Sequence, residues 1–335
     1  MRLDLHNTAV YRLKVIVAAF FIISAALSGC STAPAYNSGL SDLGGVYASQ
    51  DSDLELGCEI SGRLSEGNGE YGDQSEKNEE ADEQAKAEMS IGEAANEVTL
   101  SNKLLRWGIS RRENNQTPAA DPGAPQLLKK YGGAYLGNIS ESVIYLTFDE
   151  GYENGYTPLI LDTLRDNNVR AVFFITGPYL KGQQELVRRM VEEGHLVGNH
   201  TIHHPSLPEL GDSQLEEEVL GLERAFQEKF GQRMEFLRPP KGEYSERTLS
   251  LTNQLGFCNL FWSFAYDDWY RDKIRGSEYA RNIVMRNLHN GAVLLLHAVS
   301  KDNAEALDSI IKGAGQKGYT IGDPQELLPP EKAGD

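Results

Sequence analysis

The sequence is poor in cysteine. Its three, Cys30, Cys58 and Cys258, lie far apart, and no CxxC pair occurs in 335 residues. An odd number without clustered spacing excludes both a disulfide framework and a zinc knuckle. A basic stripe is also lacking: the formal net charge is −17, which excludes nucleic acid as a partner. Nor is there an apolar run of the roughly 20 residues that a membrane helix needs. The longest candidate, Val15 to Leu27, stops at 13 residues and is broken by Ser24. No internal repeat suggests an array, and nothing points to a protein partner.

What is present divides the chain in three. Arg2, Arg12 and Lys14 precede the apolar run, as in the n-region and h-region of an export signal. The run ends in Leu27-Ser28-Gly29-Cys30, which resembles the cleavage box of a bacterial lipoprotein. That resemblance implies removal of residues 1–29, lipidation of Cys30 and an exported protein held at the membrane. A short uncleaved anchor is the alternative. Residues 30–125 are rich in Ser, Gly, Asn, Asp, Glu and Gln, and the stretch 51–97 alone carries 15 acids against 3 bases. Such a segment buries too little apolar surface to offset its ordering entropy, so it reads as a disordered tether with a transient helix over 94–109. As a random coil it reaches roughly 50–60 Å.

From 126 to 335 apolar runs and amphipathic stretches alternate. The pattern predicts strands at 143–148, 170–175, 195–198, 235–237, 259–264, 292–297 and near 319–321. Helices are expected over 157–167, 183–193, 213–230, 245–255, 278–288 and 303–316. Repeated βα units imply an α/β fold with a parallel sheet of about seven strands, curled into a distorted (β/α) barrel.

In a parallel barrel the C-terminal strand tips share one face. The tips here carry Asp149-Glu150, Asn199 to Pro205, Arg238 to Gly242, Asp267-Asp268-Trp269 and His297. His200 and His204 are spaced i, i+4, which sets two imidazoles on one side of a helical turn, a common metal-ligand spacing. His203 points elsewhere on that turn, and His195, ahead of its strand, reads as a structural hydrogen-bonder. A metal-assisted hydrolase needs a base and an acid besides the ion. Asp149 can be the base and His297 the acid, with Arg238 holding Asp149 ionised. Trp269 and Tyr266 are candidate stacking faces, whereas Trp262, Phe264 and Cys258 read as core.

Thr147-Phe148-Asp149-Glu150, His200-x-x-x-His204, Arg238-Pro239-Pro240-x-Gly242, Asp268-Trp269 and Leu295-Leu296-His297 resemble the five ordered motifs of the polysaccharide deacetylases (carbohydrate esterase family four, the NodB-homology domain). The resemblance covers about 140–325. It implies metal-dependent removal of N-acetyl groups from polymeric amino sugars, with zinc or another divalent ion such as cobalt held by His200 and His204. It further implies Asp149 as base, His297 as acid, Arg238 and Asp268 as their supports, and the Lys241 backbone N–H as oxyanion donor. Gly151 to Tyr156, Tyr244 to Leu249 and Ser300 to Leu307 resemble the muramic-δ-lactam-forming deacetylases of spore cortex, implying peptidoglycan N-acetylmuramic acid as substrate. Lys241 is then the candidate cation for the substrate's lactyl carboxylate. Two positions depart from the wider family. Glu150 stands where most members have an Asp metal ligand, and is retained as a candidate third ligand. Ala265 stands where most have an Asp three residues before Asp268. The rival readings are an N-acetylglucosamine deacetylase of the same fold and a glycan-binding lipoprotein without turnover.

Overall fold

The computed structural model describes residues 99–112 and 115–329. The expected signal segment, Cys30, Cys58 and most of the expected tether lie outside the described residues. In chain order these form β1 (Leu105–Arg106), β2 (Ile109–Ser110), β3 (Ala119–Ala120), α1 (Ala124–Lys130), β4 (Val143–Glu150), α2 (Thr157–Asp166), β5 (Val172–Ile175), α3 (Gly177–Gly182), α4 (Gln184–Glu192), β6 (Leu196–Asn199), α5 (Asp212–Phe230), β7 (Phe236–Leu237), β8 (Glu243–Tyr244), α6 (Glu246–Gln254), β9 (Cys258–Asn259), α7 (Ser277–Arg286), β10 (Ala292–His297), α8 (Lys301–Gln316) and β11 (Thr320–Ile321).

Seven strands make one parallel sheet in the order β10-β4-β5-β6-β7-β9, with β11 added beside the start of β4. The sheet curls until the chain beyond β9 returns to β10: Phe264 bridges Leu294, and the Ser263 N–H donates to the Val293 carbonyl at 3.0 Å. This is the distorted barrel expected from the βα alternation. The expected strand 259–264 is shorter than its apolar run, being ladder-paired only at Cys258–Asn259 and touching β10 again at Phe264. An unforeseen short helix, α3, precedes α4.

Side chains alternate across a strand with period two, and here that parity divides the core. Ile144, Leu146 and Phe148 of β4, Phe173 and Ile175 of β5, and Leu294 and Leu296 of β10 pack outward against the helices. Val143 and Tyr145, Val172 and Phe174, and Val293 fill the interior of the barrel with Phe236, Cys258 and Leu260. A strand buried on both faces offers few polar positions, which is why the first part of β4, Val143 to Leu146, reads as a continuous apolar run. Each fully buried Leu, Ile or Phe contributes about 1.5–3 kcal/mol, so both layers are strongly specified.

The tether expectation is corrected for residues 99–125. Instead of a helix near 94–109, the described part is extended: β1 pairs antiparallel with β8 and β2 with β3. Leu105, Trp107 and Ile109 alternate with Arg106, Gly108 and Ser110, a strand period, and their apolar face packs on Tyr244, Leu249 and Phe261. The polar average of the long segment concealed this short alternation.

Candidate active site

The parity that builds the core also sorts the two neighbouring acids of β4. Asp149 follows Val143, Tyr145 and Thr147 inward, and β10 sets His297 beside it in register. Glu150 follows Ile144, Leu146 and Phe148 outward. Its carboxylate lies 3.5 Å from the Thr157 hydroxyl at the start of α2, fully buried. Burial, and then the charges of Glu153 and Asp149, push its pKa well up. The expected third metal ligand is therefore corrected: Glu150 points away from the imidazoles, and it is absent from the cleft lining.

Arg238, at the tip of β7, is completely buried. Its Nη1 donates to Asp149 Oδ1 at 2.6 Å, its Nη2 to the Thr147 hydroxyl at 2.9 Å, and its Nε to the Leu260 carbonyl at 3.0 Å. The guanidinium lies 4.1 Å from the centre of the Phe174 ring. These contacts hold it without the acid that Ala265 replaces. Burial alone pushes the Asp149 carboxyl up, but the surrounding positive charge, led by the Arg238 guanidinium, outweighs that and holds it below its usual value. Thr147 and Phe174 were missed as site residues. Their inward parity was the available signal.

His200 and His204 do come together, with ring centres 4.7 Å apart, but not on a helical turn. The chain from 200 to 206 is irregular, and Thr201 and His204 both adopt left-handed backbone, φ +66° and +61°. Asn199 and Thr201 hold this loop: Asn199 Oδ1 accepts the Thr201 N–H and Thr201 Oγ1 accepts the His204 N–H, each at 2.9 Å. Non-glycine residues in that region cost about 1–3 kcal/mol each and cluster at functional sites. His200 Nδ1 lies 2.8 Å from the Arg238 carbonyl. A carbonyl only accepts, so Nδ1 carries the proton and the Nε2 lone pair faces Asp149 Oδ2 at 3.5 Å. Burial keeps both rings neutral, His204 with a pKa lowered to about 4. His203 turns aside to Glu218 at 2.7 Å. His195 is buried, with Nδ1 accepting the Ala171 N–H.

Two neutral imidazoles beside an ionised carboxylate are donors of the kind a zinc-type ion takes, so this residue set fits a divalent metal. A preformed group of three protein ligands is absent among the described residues.

Across the cleft, His297 Nδ1 lies 2.7 Å from Asp268 Oδ1, and its backbone N–H donates to Asp268 Oδ2 at 2.8 Å. Burial pulls the imidazole down, yet the charge and hydrogen bond of Asp268 outweigh it and raise the pKa. Asn303, missed as a site residue, donates to the same Asp268 oxygen at 2.5 Å and accepts from the Tyr266 hydroxyl. It is set there by Ser300, whose Oγ accepts the Asn303 N–H as α8 begins just past β10. Tyr266 is thereby a buried brace.

Asp149, His200, His204 and His297 line one cleft of about 830 Å³, with Tyr152, Pro178, Ile202, Lys241, Trp262 and Trp269 on its walls. Trp269 is 46% exposed and meets His297 edge-on at 5.7 Å. Trp262, expected in the core, is only partly buried and lines the cleft, whereas Phe264 and Cys258 are buried as expected. Lys241 is exposed, in left-handed backbone at φ +59°, and makes no ion pair among the described residues. One wall thus favours an ionised carboxylate, another favours a protonated imidazole, and both face the same space.

Residues 137–260 match the family model for polysaccharide deacetylase. Peptidoglycan-N-acetylmuramic acid deacetylase PdaA of Bacillus subtilis is 41% identical over 243 residues, 72% of this chain and 92% of that protein. A peptidoglycan-N-acetylglucosamine deacetylase of Bacillus cereus is 32% identical over 195 residues, 57% of this chain and 70% of that protein. The solved structure of B. subtilis PdaA, a family 4 carbohydrate esterase, superposes with a TM-score of 0.66 at 42% identity, covering 68% of this chain and 98% of that one.

Proposed function

This chain belongs to the polysaccharide deacetylase family, and we propose that it removes the N-acetyl group from N-acetylmuramic acid in peptidoglycan, as a metal-dependent hydrolase. The observation that carries the reading is the opposed pair, Asp149 clamped by Arg238 on one wall and His297 held by Asp268 on the other. The identity with the B. subtilis enzyme over 92% of its length supports the substrate.

His200 and His204 would hold a divalent ion, zinc being the expected one and cobalt a substitute, which would supply charge to polarise the acetamido carbonyl and acidify water. Asp149 takes a proton from the attacking water, whose oxygen bonds to the acetyl carbon. The Lys241 backbone N–H faces the developing oxyanion. His297 gives its proton to the sugar nitrogen as the C–N bond breaks, leaving acetate and a free amine. Asp268 keeps the imidazole oriented and protonated between turnovers. Trp269 offers an exposed ring face at the rim for a pyranose.

Muramic acid carries a lactyl ether beside the acetamido group, and without its stem peptide that ether ends in a free carboxylate. Lys241, exposed on the cleft wall with no ion pair among the described residues, is the cation for it, as a point charge. The freed amine and this carboxylate are the two groups a δ-lactam joins with loss of water, the chemistry of spore cortex. The chain acts outside the cell, tethered to the membrane through a lipid on Cys30.

The test is mass spectrometry of peptide-free and peptide-bearing glycan strands after treatment. Acetyl loss is expected on muramic residues of the peptide-free strands, and Lys241→Met should lower that activity several-fold. Loss confined to glucosamine residues would transfer the function to the activity named for the B. cereus relative, and no acetate release at all would leave a wall-binding protein.

A further inference from the structure

Residues 101–111 precede both the family match at 137–260 and the barrel's first strand, β4, yet they end against the cleft wall. The Trp107 N–H donates to the Gly242 carbonyl at 2.8 Å, and the Trp107 indole N–H donates to the Trp262 carbonyl at 2.9 Å. Gly242 and Trp262 both line the cleft. Ahead of Trp107 the segment is pinned. Arg106 reaches Glu243 at 3.0 Å, and Asn102 accepts from the Ser245 hydroxyl and donates to the Pro208 carbonyl, both at 2.9 Å.

The turn being held has a demanding backbone. Lys241 and Gly242 are consecutive left-handed residues, φ +59° and +66°, and Lys241 pays a steric cost that glycine does not. A Cβ on Gly242 would meet the Trp262 ring at 2.8 Å and the Trp107 Cβ at 3.3 Å. The turn is therefore wedged between two tryptophans, one from the barrel and one from the N-terminal segment. Trp107 is buried, its ring tilted against Phe261 with centres 4.8 Å apart, and the Phe261 carbonyl faces Arg238. The segment thus braces the turn that carries Lys241 and the carbonyl groups around Arg238 together.

We infer that residues 101–111 belong to the active site's scaffold and that Trp107 is a positioning residue, fixing the Pro239–Gly242 turn so that its backbone presents to the reacting acetamido group. The inference rests on the deacetylase reading of the cleft. A displacement of about 1 Å at a reacting centre can cost about a hundredfold in rate. The role therefore predicts a loss in kcat rather than in substrate binding.

The experiment compares full-length wild type, Trp107→Ala and Trp107→Phe for acetate release from peptide-free peptidoglycan strands, with kcat referred to the folded fraction measured by near-UV circular dichroism. Trp107→Ala should lower kcat tenfold or more while KM stays within threefold. Trp107→Phe keeps a ring in the wedge and loses one hydrogen bond, so it should recover most of that kcat. A kcat within twofold of wild type in Trp107→Ala, or a loss that falls on KM alone, would overturn the inference. If the alanine variant does not fold, Trp107→Leu decides it, since leucine fills part of the wedge with neither a ring nor an N–H donor. A threefold or greater fall in its kcat with KM within threefold supports positioning, and any smaller fall, or a change in KM alone, refutes it. An inactive wild type would instead refute the deacetylase reading itself, which keeps the two failures apart.

Discussion

Exchanging the two adjacent acids of β4 for their amides, Asp149→Asn and Glu150→Gln, puts the parity of the strand to a quantitative test. Both changes preserve volume, and both side chains are buried. Asp149→Asn removes the only carboxylate among the described residues that reaches the buried Arg238, 2.6 Å away. Removing one partner of a buried pair costs about 3–5 kcal/mol, because the other charge is left uncompensated. At about 2–4 °C per kcal/mol for a domain of this size, that lowers Tm by roughly 6–20 °C. Loss of the general base costs a further 10²–10⁴-fold in rate, roughly. Glu150→Gln replaces a carboxyl whose pKa is raised by burial and by two neighbouring acids, and which makes no ion pair among the described residues. Its hydrogen-bond partner, the Thr157 hydroxyl, serves an amide as well. Stability should change by about 1 kcal/mol or less, the range of a neutral hydrogen bond, and acetate release should stay within a few-fold of wild type. The assays are thermal unfolding and acetate release on the same preparations. A Glu150→Gln variant as inactive as Asp149→Asn would refute the outward placement of Glu150 as the determinant of its role.

Other outcomes follow from the same geometry. Chelation should abolish acetate release and added zinc or cobalt should restore it, while a His200→Ala, His204→Ala double variant should lose metal binding by equilibrium dialysis. If the double variant kept both metal and turnover, the ligand assignment would be wrong. Because His297 must be protonated to act as acid and its pKa is raised mainly by Asp268 against burial, activity should fall on the alkaline side as pH rises through that raised value. Asp268→Asn should move the alkaline limb of kcat/KM to lower pH, and an unmoved limb would dissociate His297 from that titration. Cys30→Ala should appear in the soluble exported fraction with activity intact. Retention in the membrane fraction would favour an uncleaved anchor.

By itself the sequence determined the βα alternation and the gathering of Asp149, His200, Arg238, Asp268 and His297 at strand tips. Hydrophobic runs and their spacing are local properties of the chain, and parallel strands with helical crossovers place all C-terminal tips on one face. It also contained the separation of Asp149 from Glu150, since neighbours in a strand face opposite ways; adjacency in sequence drew them together on paper. The tertiary structure alone decided how His200 and His204 meet. Their i, i+4 spacing suggests a helix, but the loop reaches the same proximity through left-handed Thr201 and His204, held by Asn199 and the Thr201 hydroxyl. It alone decided that Thr147 and the Leu260 carbonyl share the load of Arg238, and that Asn303 supports Asp268 from 35 residues away. It decided, too, that the end of an acidic, polar segment folds back as a brace. The stability of β1 comes from Tyr244 and Phe261, far along the chain, and no local pattern records which distant surface will be there to receive Trp107.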